Sequence, residues 1–113
     1  MSRRDDEVSL QDMLDHAREA GDLLGDMDGE GLSRNRVTQL ALTRLIEIVG
    51  EAANRVSTAA QQENPQIPWP QIIGMRNRLV HGYDVIDCDV LWDTVANDFP
   101  ALIAGLEVAL QRP

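Results

Sequence analysis

Arg76-Asn77-Arg78-Leu79-Val80-His81-Gly82-Tyr83 gathers an arginine pair, an amide, one of two histidines and the only tyrosine within eight residues. A permanently charged guanidinium can stabilise developing negative charge, and an imidazole that titrates near neutrality can move a proton. Together they supply what phosphoryl chemistry without a metal requires. Spacing limits how they meet. On a helix, residues four apart share a face, which puts His81 below Asn77, while Arg76 is rotated from Asn77 by about 100°. Arg76 and His81 are five apart and converge only if the helix ends near His81. Gly82 offers that ending, which releases His81 and Tyr83 toward a common cleft. The negative end of a helix also favours a protonated imidazole. Each residue has a plainer reading: a histidine at a helix end is often a cap, and a helical arginine is often a solvated or paired surface group.

The elements around this stretch read as helices. Leu10, Met13, Leu14, Ala17, Ala20, Leu24 and Met27 recur at three and four, predicting a helix over 9–27 with Ser9 and Asp12 as its capping pair. Asp28-Gly29-Glu30-Gly31 punctuates the chain, and Ser33 is placed to cap the next helix. From Val37 to Ala59 a second apolar period predicts one long helix of about 28 residues. Asn64-Pro65-Gln66-Ile67-Pro68-Trp69-Pro70 is an ordered connector, and Pro70 suits the first turn of a third helix that runs to Val80 or His81. Asp87 or Asp89 can cap a fourth helix carrying Val90, Leu91, Val95, Phe99, Leu102, Ile103, Leu106 and Leu110, and Pro100 should kink or split it. No segment alternates with a period of two. The expected fold is all-α, an antiparallel bundle of four to five helices forming one domain over residues 1–113.

Charge narrows the function. The formal net charge of −9 argues against a broad positive field for nucleic acid. Residues 1–30 carry −7 and residues 81–113 carry −5, while residues 31–80 hold six arginines against Glu47, Glu51 and Glu63, or +3. An anion site therefore belongs in the middle third. The ten basic residues are all arginine, which base composition of the genome explains sufficiently. Cys88 is the single cysteine, so no internal disulfide forms. No apolar run approaches the roughly 18 to 20 residues that span a bilayer. The expectation is a soluble, cytoplasmic chain.

The stretch resembles the Arg, four residues, His, one residue, Tyr signature of the HepT-like branch of the HEPN ribonucleases, the toxin half of MNT/HEPN toxin–antitoxin modules. Ile48-Val49-Gly50-Glu51-Ala52-Ala53, Ile67-Pro68-Trp69, Ile72 to Tyr83, Val90-Leu91-Trp92 and Phe99-Pro100 are similar to that family as well, so the likeness spans about residues 8–110. It implies a HEPN-like bundle with Arg76 and His81 as the catalytic pair and Asn77 as the accompanying polar residue. Tyr83 falls on the tyrosine that a partner nucleotidyltransferase modifies with AMP. The implied reaction is metal-independent RNA cleavage by attack of a 2′-hydroxyl on the adjacent phosphate. The implied partners are a second copy of the chain, the cognate nucleotidyltransferase antitoxin and RNA, with neither a membrane nor DNA. The chain itself would use no cofactor or metal, whereas the nucleotidyltransferase would use ATP and Mg. One histidine per motif is awkward where a base and an acid are both useful, and a twofold dimer would supply the second.

Other residues weigh less. Glu51, with Arg78, is a supporting candidate: the carboxylate either faces Arg76 or Arg78 as an orienting ion pair or lies at the surface. Trp69 and Trp92 read as core or dimer-interface aromatics rather than base-stacking platforms. His16 is expected to be solvated, and Met13, Met27 and Met75 to fill the core or an interface. Asp84, Asp87, Asp89 and Asp93 sit where a helix start favours acids, so no metal site is assigned to them. The rival function is a non-catalytic subunit that holds a nucleotide or presents itself to a nucleotidyltransferase, using the same residues. A purely structural bundle would leave the polar cluster unexplained.

Overall fold

The computed structural model describes residues 2–81 and 85–111, with His81 described by its backbone alone. Helix α1 (Arg3–Leu24) starts a turn and a half earlier than its apolar period suggests. The sequence contains two Ser-x-x-acid pairs, and the first one caps: Ser2 Oγ accepts from the Asp5 amide at 3.1 Å, and Asp5 Oδ2 accepts from the Ser2 amide at 3.3 Å. Ser9 lies buried inside the helix instead. Gly25, with φ of 53°, ends α1, because only glycine takes that conformation without strain. Asp28 then caps a short helix, α2 (Gly29–Ser33), so the two glycines expected to interrupt the chain sit within a helical turn.

The expected 28-residue helix is two. Asn35, rather than Ser33, caps α3 (Arg36–Arg55) by accepting from the Thr38 amide. The chain extends at Val56 before α4 (Thr58–Glu63), which is capped by Ser57. A distant partner stabilises the break: Asp6 of α1 accepts from the Ser57 amide at 2.8 Å and from its hydroxyl at 2.7 Å. An apolar period cannot register such a contact, which crosses 51 positions of sequence.

Helix α5 (Trp69–Leu79) has Pro70 in its first turn, as expected. It ends at Leu79, one or two residues short of the expected end, and the backbone enters a strand pair that periodicity missed. β1 (Val80–His81) runs antiparallel to β2 (Val85–Ile86), with Val80 opposite Ile86 and His81 opposite Val85. Two-residue strands are too short for any alternation to be visible. The Asp87 amide donates to the Leu79 carbonyl at 2.7 Å and closes the base of this unit.

Asp87 caps α6 (Cys88–Asp93), which continues through a π-helical turn at Thr94–Asp98 into α7 (Phe99–Gln111). Pro100 explains the turn. It has no N–H to give the carbonyl of Ala96, and its ring would crowd that carbonyl in regular helix. Widening the preceding turn, with the Phe99 amide on the Thr94 carbonyl, relieves the clash without breaking the helix.

α1 packs along α3 and α7, and α3 packs along α5. Met13, Leu42, Ile46, Met75, Leu91 and Phe99 are among the fully buried side chains where these helices meet. Among the described residues no helix is long and apolar enough to cross a membrane.

Candidate active site

The candidate residues lie at the end of α5, and the contact between α5 and α3 sets where that end sits. Gly50 makes the approach possible: a Cβ there would stand 3.2 Å from the Ile72 carbonyl oxygen and 3.5 Å from that of Ile73. One turn further along α5, Arg76 meets Glu47, which lies one turn before Gly50 on α3. The two helices therefore run antiparallel here, and their stagger pairs Arg76 with Glu47.

Arg76 is exposed, with Nε 3.4 Å from Glu47 Oε1. The other oxygen of the same carboxylate lies 3.4 Å from Arg44 NH1. Arg44 NH1 is also 3.5 Å from Glu51 Oε1. Of the two expectations for Glu51, an ion pair with Arg76 or Arg78 and a surface position, the structure gives the second. Glu51 is more than half exposed and reaches Arg44, and the acid facing Arg76 is Glu47, whose side chain is only 25% exposed. Glu47 was legible as an acid inside an apolar stripe, three residues from Arg44. Choosing it over Glu51 required the stagger of α3 against α5.

Arg78 is also exposed but leaves α5 in a different direction, since two helical positions amount to about 200°. Its NH2 donates to the Gln71 carbonyl at 3.4 Å. It lines a cleft of about 310 Å3 between α5 and the π turn, together with Gln71, Met75, Asn97 and Asp98. It is not part of the Glu47 cluster. Asn77 is exposed beside Arg76.

The backbone meets the condition set by the spacing. The helix stops at Leu79, so Arg76 belongs to its last turn and His81 to the strand beyond it. The Val80 amide still donates to the Arg76 carbonyl, which couples the two segments. The side chain of His81 and the residues Gly82, Tyr83 and Asp84, with the modification expected at Tyr83, lie outside the described residues, and the helix ends at Leu79, before Gly82 could stop it.

The remaining candidates fall into structural roles. Trp69 is buried, and its Nε1 donates to the carbonyls of Gln61 and Asn64, both at 3.1 Å. Trp92 is half-buried, with Nε1 donating to the Met27 carbonyl at 2.9 Å. Met13 and Met75 are core, and Met27 packs against it. His16 is half-buried rather than solvated, and its Nδ1 donates to the Asp12 carbonyl at 2.6 Å. Asp87 caps α6, and Asp89 lies in its first turn. Burial and these two acids raise the Cys88 thiol above its ordinary range, partly offset by Arg36. Among the described residues, no three His, Cys, Asp or Glu side chains gather as a metal set would require.

With this geometry established, comparison with known proteins decides the family. A family model described as "Ribonuclease HepT-like" matches residues 13–109. The chain belongs to the HepT-like ribonuclease family. Among curated proteins it is 32% identical to "Putative RNase MJ1380" of Methanocaldococcus jannaschii, over 96% of this chain and 99% of that one. It is 35% identical to "Probable ribonuclease HepT" of Thermococcus cleftensis, over 88% of this chain and 94% of that one. A second M. jannaschii protein, "Putative RNase MJ0127", is 30% identical over 95% of this chain and 88% of its own length. No solved structure matches the chain.

Proposed function

We propose that this HepT-like chain is a toxin that cleaves RNA without a metal ion at a cleft shared by two copies, with Arg76 and His81 as its catalytic residues. The observation that carries the reading is an exposed arginine in the last turn of α5, followed two residues after the helix ends by a histidine, in a chain of this family. The relatives' names as ribonucleases agree with it.

In the proposed reaction the 2′-oxygen attacks the adjacent phosphorus while one His81 imidazole accepts its proton. The P–O bond to the 5′-oxygen breaks, and the partner copy's imidazolium supplies the proton that this oxygen takes. The products are a 2′,3′-cyclic phosphate and a 5′-hydroxyl. Arg76 stabilises the charge accumulating on the phosphoryl oxygens, and Asn77 orients the imidazole or donates to the phosphate.

A second copy has a suitable surface to occupy. Val37 (78% exposed) and Leu40 (49%) share the face of α3 that carries Arg44 and Glu47, Ile73 (37%) precedes Arg76 by one turn, and Val85 (61%) opposes His81 in the strand pair. Apolar side chains this exposed around a polar site suit a contact between protomers. Control follows from Tyr83: transfer of AMP to its hydroxyl by a nucleotidyltransferase antitoxin adds bulk and negative charge where the substrate phosphate must sit. The partner, not this chain, would use ATP and Mg. The chain would act in the cytoplasm.

The test is incubation of the purified protein with RNA in EDTA beside Arg76→Ala and His81→Ala. Cleavage by the wild type that falls by about a hundredfold or more in each variant is expected. Absence of cleavage by the wild type, or equal cleavage by all three, overturns the proposal. The net charge of −9 favours a second reading, a subunit that holds nucleotide phosphate without cutting, and RNA binding without cleavage is the outcome that would select it.

A further inference from the structure

We infer that Glu47 is a positioning residue that holds the Arg76 guanidinium in its working orientation; the catalytic consequence rests on the ribonuclease reading proposed for this chain. Three features single out this carboxylate. It divides its oxygens between two arginines, Oε1 toward Arg76 Nε and Oε2 toward Arg44 NH1, each at 3.4 Å. Its side chain is 25% exposed, against 52% for Arg76 and 60% for Arg44, so the anchor is the less mobile end of both pairs. It stands on the opposite helix from the motif, one turn from the Gly50 contact that fixes α3 against α5.

The edge engaged is informative. A guanidinium offers a side edge that includes Nε and an end edge made by its two terminal nitrogens. Glu47 contacts Arg76 at Nε, so the terminal fork is the edge on which a phosphate can accept two parallel hydrogen bonds. Without that restraint, a long exposed side chain samples many rotamers, and the fork meets the phosphate only part of the time. An exposed ion pair adds little to fold stability, so the contact is better accounted for by orientation than by stability. Arg44 shares the carboxylate through its second oxygen, so Glu47 does not cancel the charge of Arg76 alone.

The experiment compares wild type, Glu47→Gln and Glu47→Asp, with Glu30→Gln as a control. The control removes the same charge from a remote exposed pair with Arg34. Three readouts are taken: RNA cleavage as kcat and KM, thermal unfolding, and the Nε–H NMR resonance of Arg76, assigned by its loss in Arg76→Lys. Glu47→Gln is expected to lower kcat by about tenfold to a hundredfold with KM changed far less, to leave unfolding unchanged and to shift the Arg76 resonance. Glu47→Asp is expected to recover part of kcat, and Glu30→Gln to match wild type. The inference is overturned if the Arg76 resonance is the same in Glu47→Gln as in wild type, whether or not RNA is cut. It is equally overturned if kcat is unchanged, or if kcat falls only in proportion to lost folded protein. A wild type that cuts no RNA sinks the ribonuclease reading by itself, while the resonance still decides whether Glu47 holds Arg76.

Discussion

Arg76 and Cys88 illustrate how neighbours decide what a side chain can do. Arg76 is an exposed cation whose orientation depends on one carboxylate from another helix, and Arg78, two positions later, belongs to a different cleft. Adjacent arginines with similar exposure are therefore not interchangeable, which the string Arg-Asn-Arg conceals. Cys88 is governed by partial burial and by Asp87 and Asp89 on either side, all of which disfavour the thiolate. Because its pKa is raised, less thiolate exists at any pH below the ordinary thiol range. Alkylation by iodoacetamide at about pH 8 is expected to be slower than that of free cysteine, with a rate that keeps climbing as pH rises past the range where free cysteine levels off. A rate at that pH equal to or above that of free cysteine would contradict this.

At the scale of elements, the site depends on how closely α5 lies against α3. Gly50 is the position that sets the distance, and the atoms its Cβ would meet are backbone oxygens of α5, which cannot turn aside as a flexible side chain could. Gly50→Ala is expected to destabilise the fold by about 1–3 kcal/mol through overpacking. Displacing the last turn of α5 should also lengthen the Arg76–Glu47 contact and lower RNA cleavage. Chemical denaturation with cleavage measured on the folded fraction checks both, and an alanine variant as stable and as active as wild type would show that α5 has room to spare. Most helices were legible in the sequence because their apolar residues repeat at three and four; α5 carried its own start signal in Pro70 and α6 its cap in Asp87. What was not legible was held by partners distant in sequence. Asp6 stabilises the break at Ser57, the strand pair is two residues long, and the π turn answers a steric problem at Pro100 that could also have been met by a kink.

For the whole molecule, acidity and a local basic centre must coexist. The chain carries −9 overall, yet Arg76 opens the motif and Arg44 lies near it on α3, so RNA would be held by a few local guanidinium groups rather than drawn to a broad field. A shared cleft in a dimer would double that patch and bring in a second imidazole. Light scattering is expected to report about 25 kDa, twice the 12.5 kDa chain. Mixing wild type with an equal amount of His81→Ala protomers is expected to cut cleavage to about a quarter rather than about a half, because a mixed dimer has only one of the two imidazoles that the cleft needs. Cleavage that simply follows the wild-type fraction after verified subunit exchange would mean that each copy works by itself. The order of the main helices and the location of the motif at a helix end were determined by the sequence alone, since periodicity and caps are local properties of a chain. Which carboxylate holds Arg76, and that Arg78 faces elsewhere, were decided by tertiary structure. Those choices depend on the stagger and rotation of α5 against α3, and both follow from a close backbone contact at Gly50 rather than from residues near the motif in sequence.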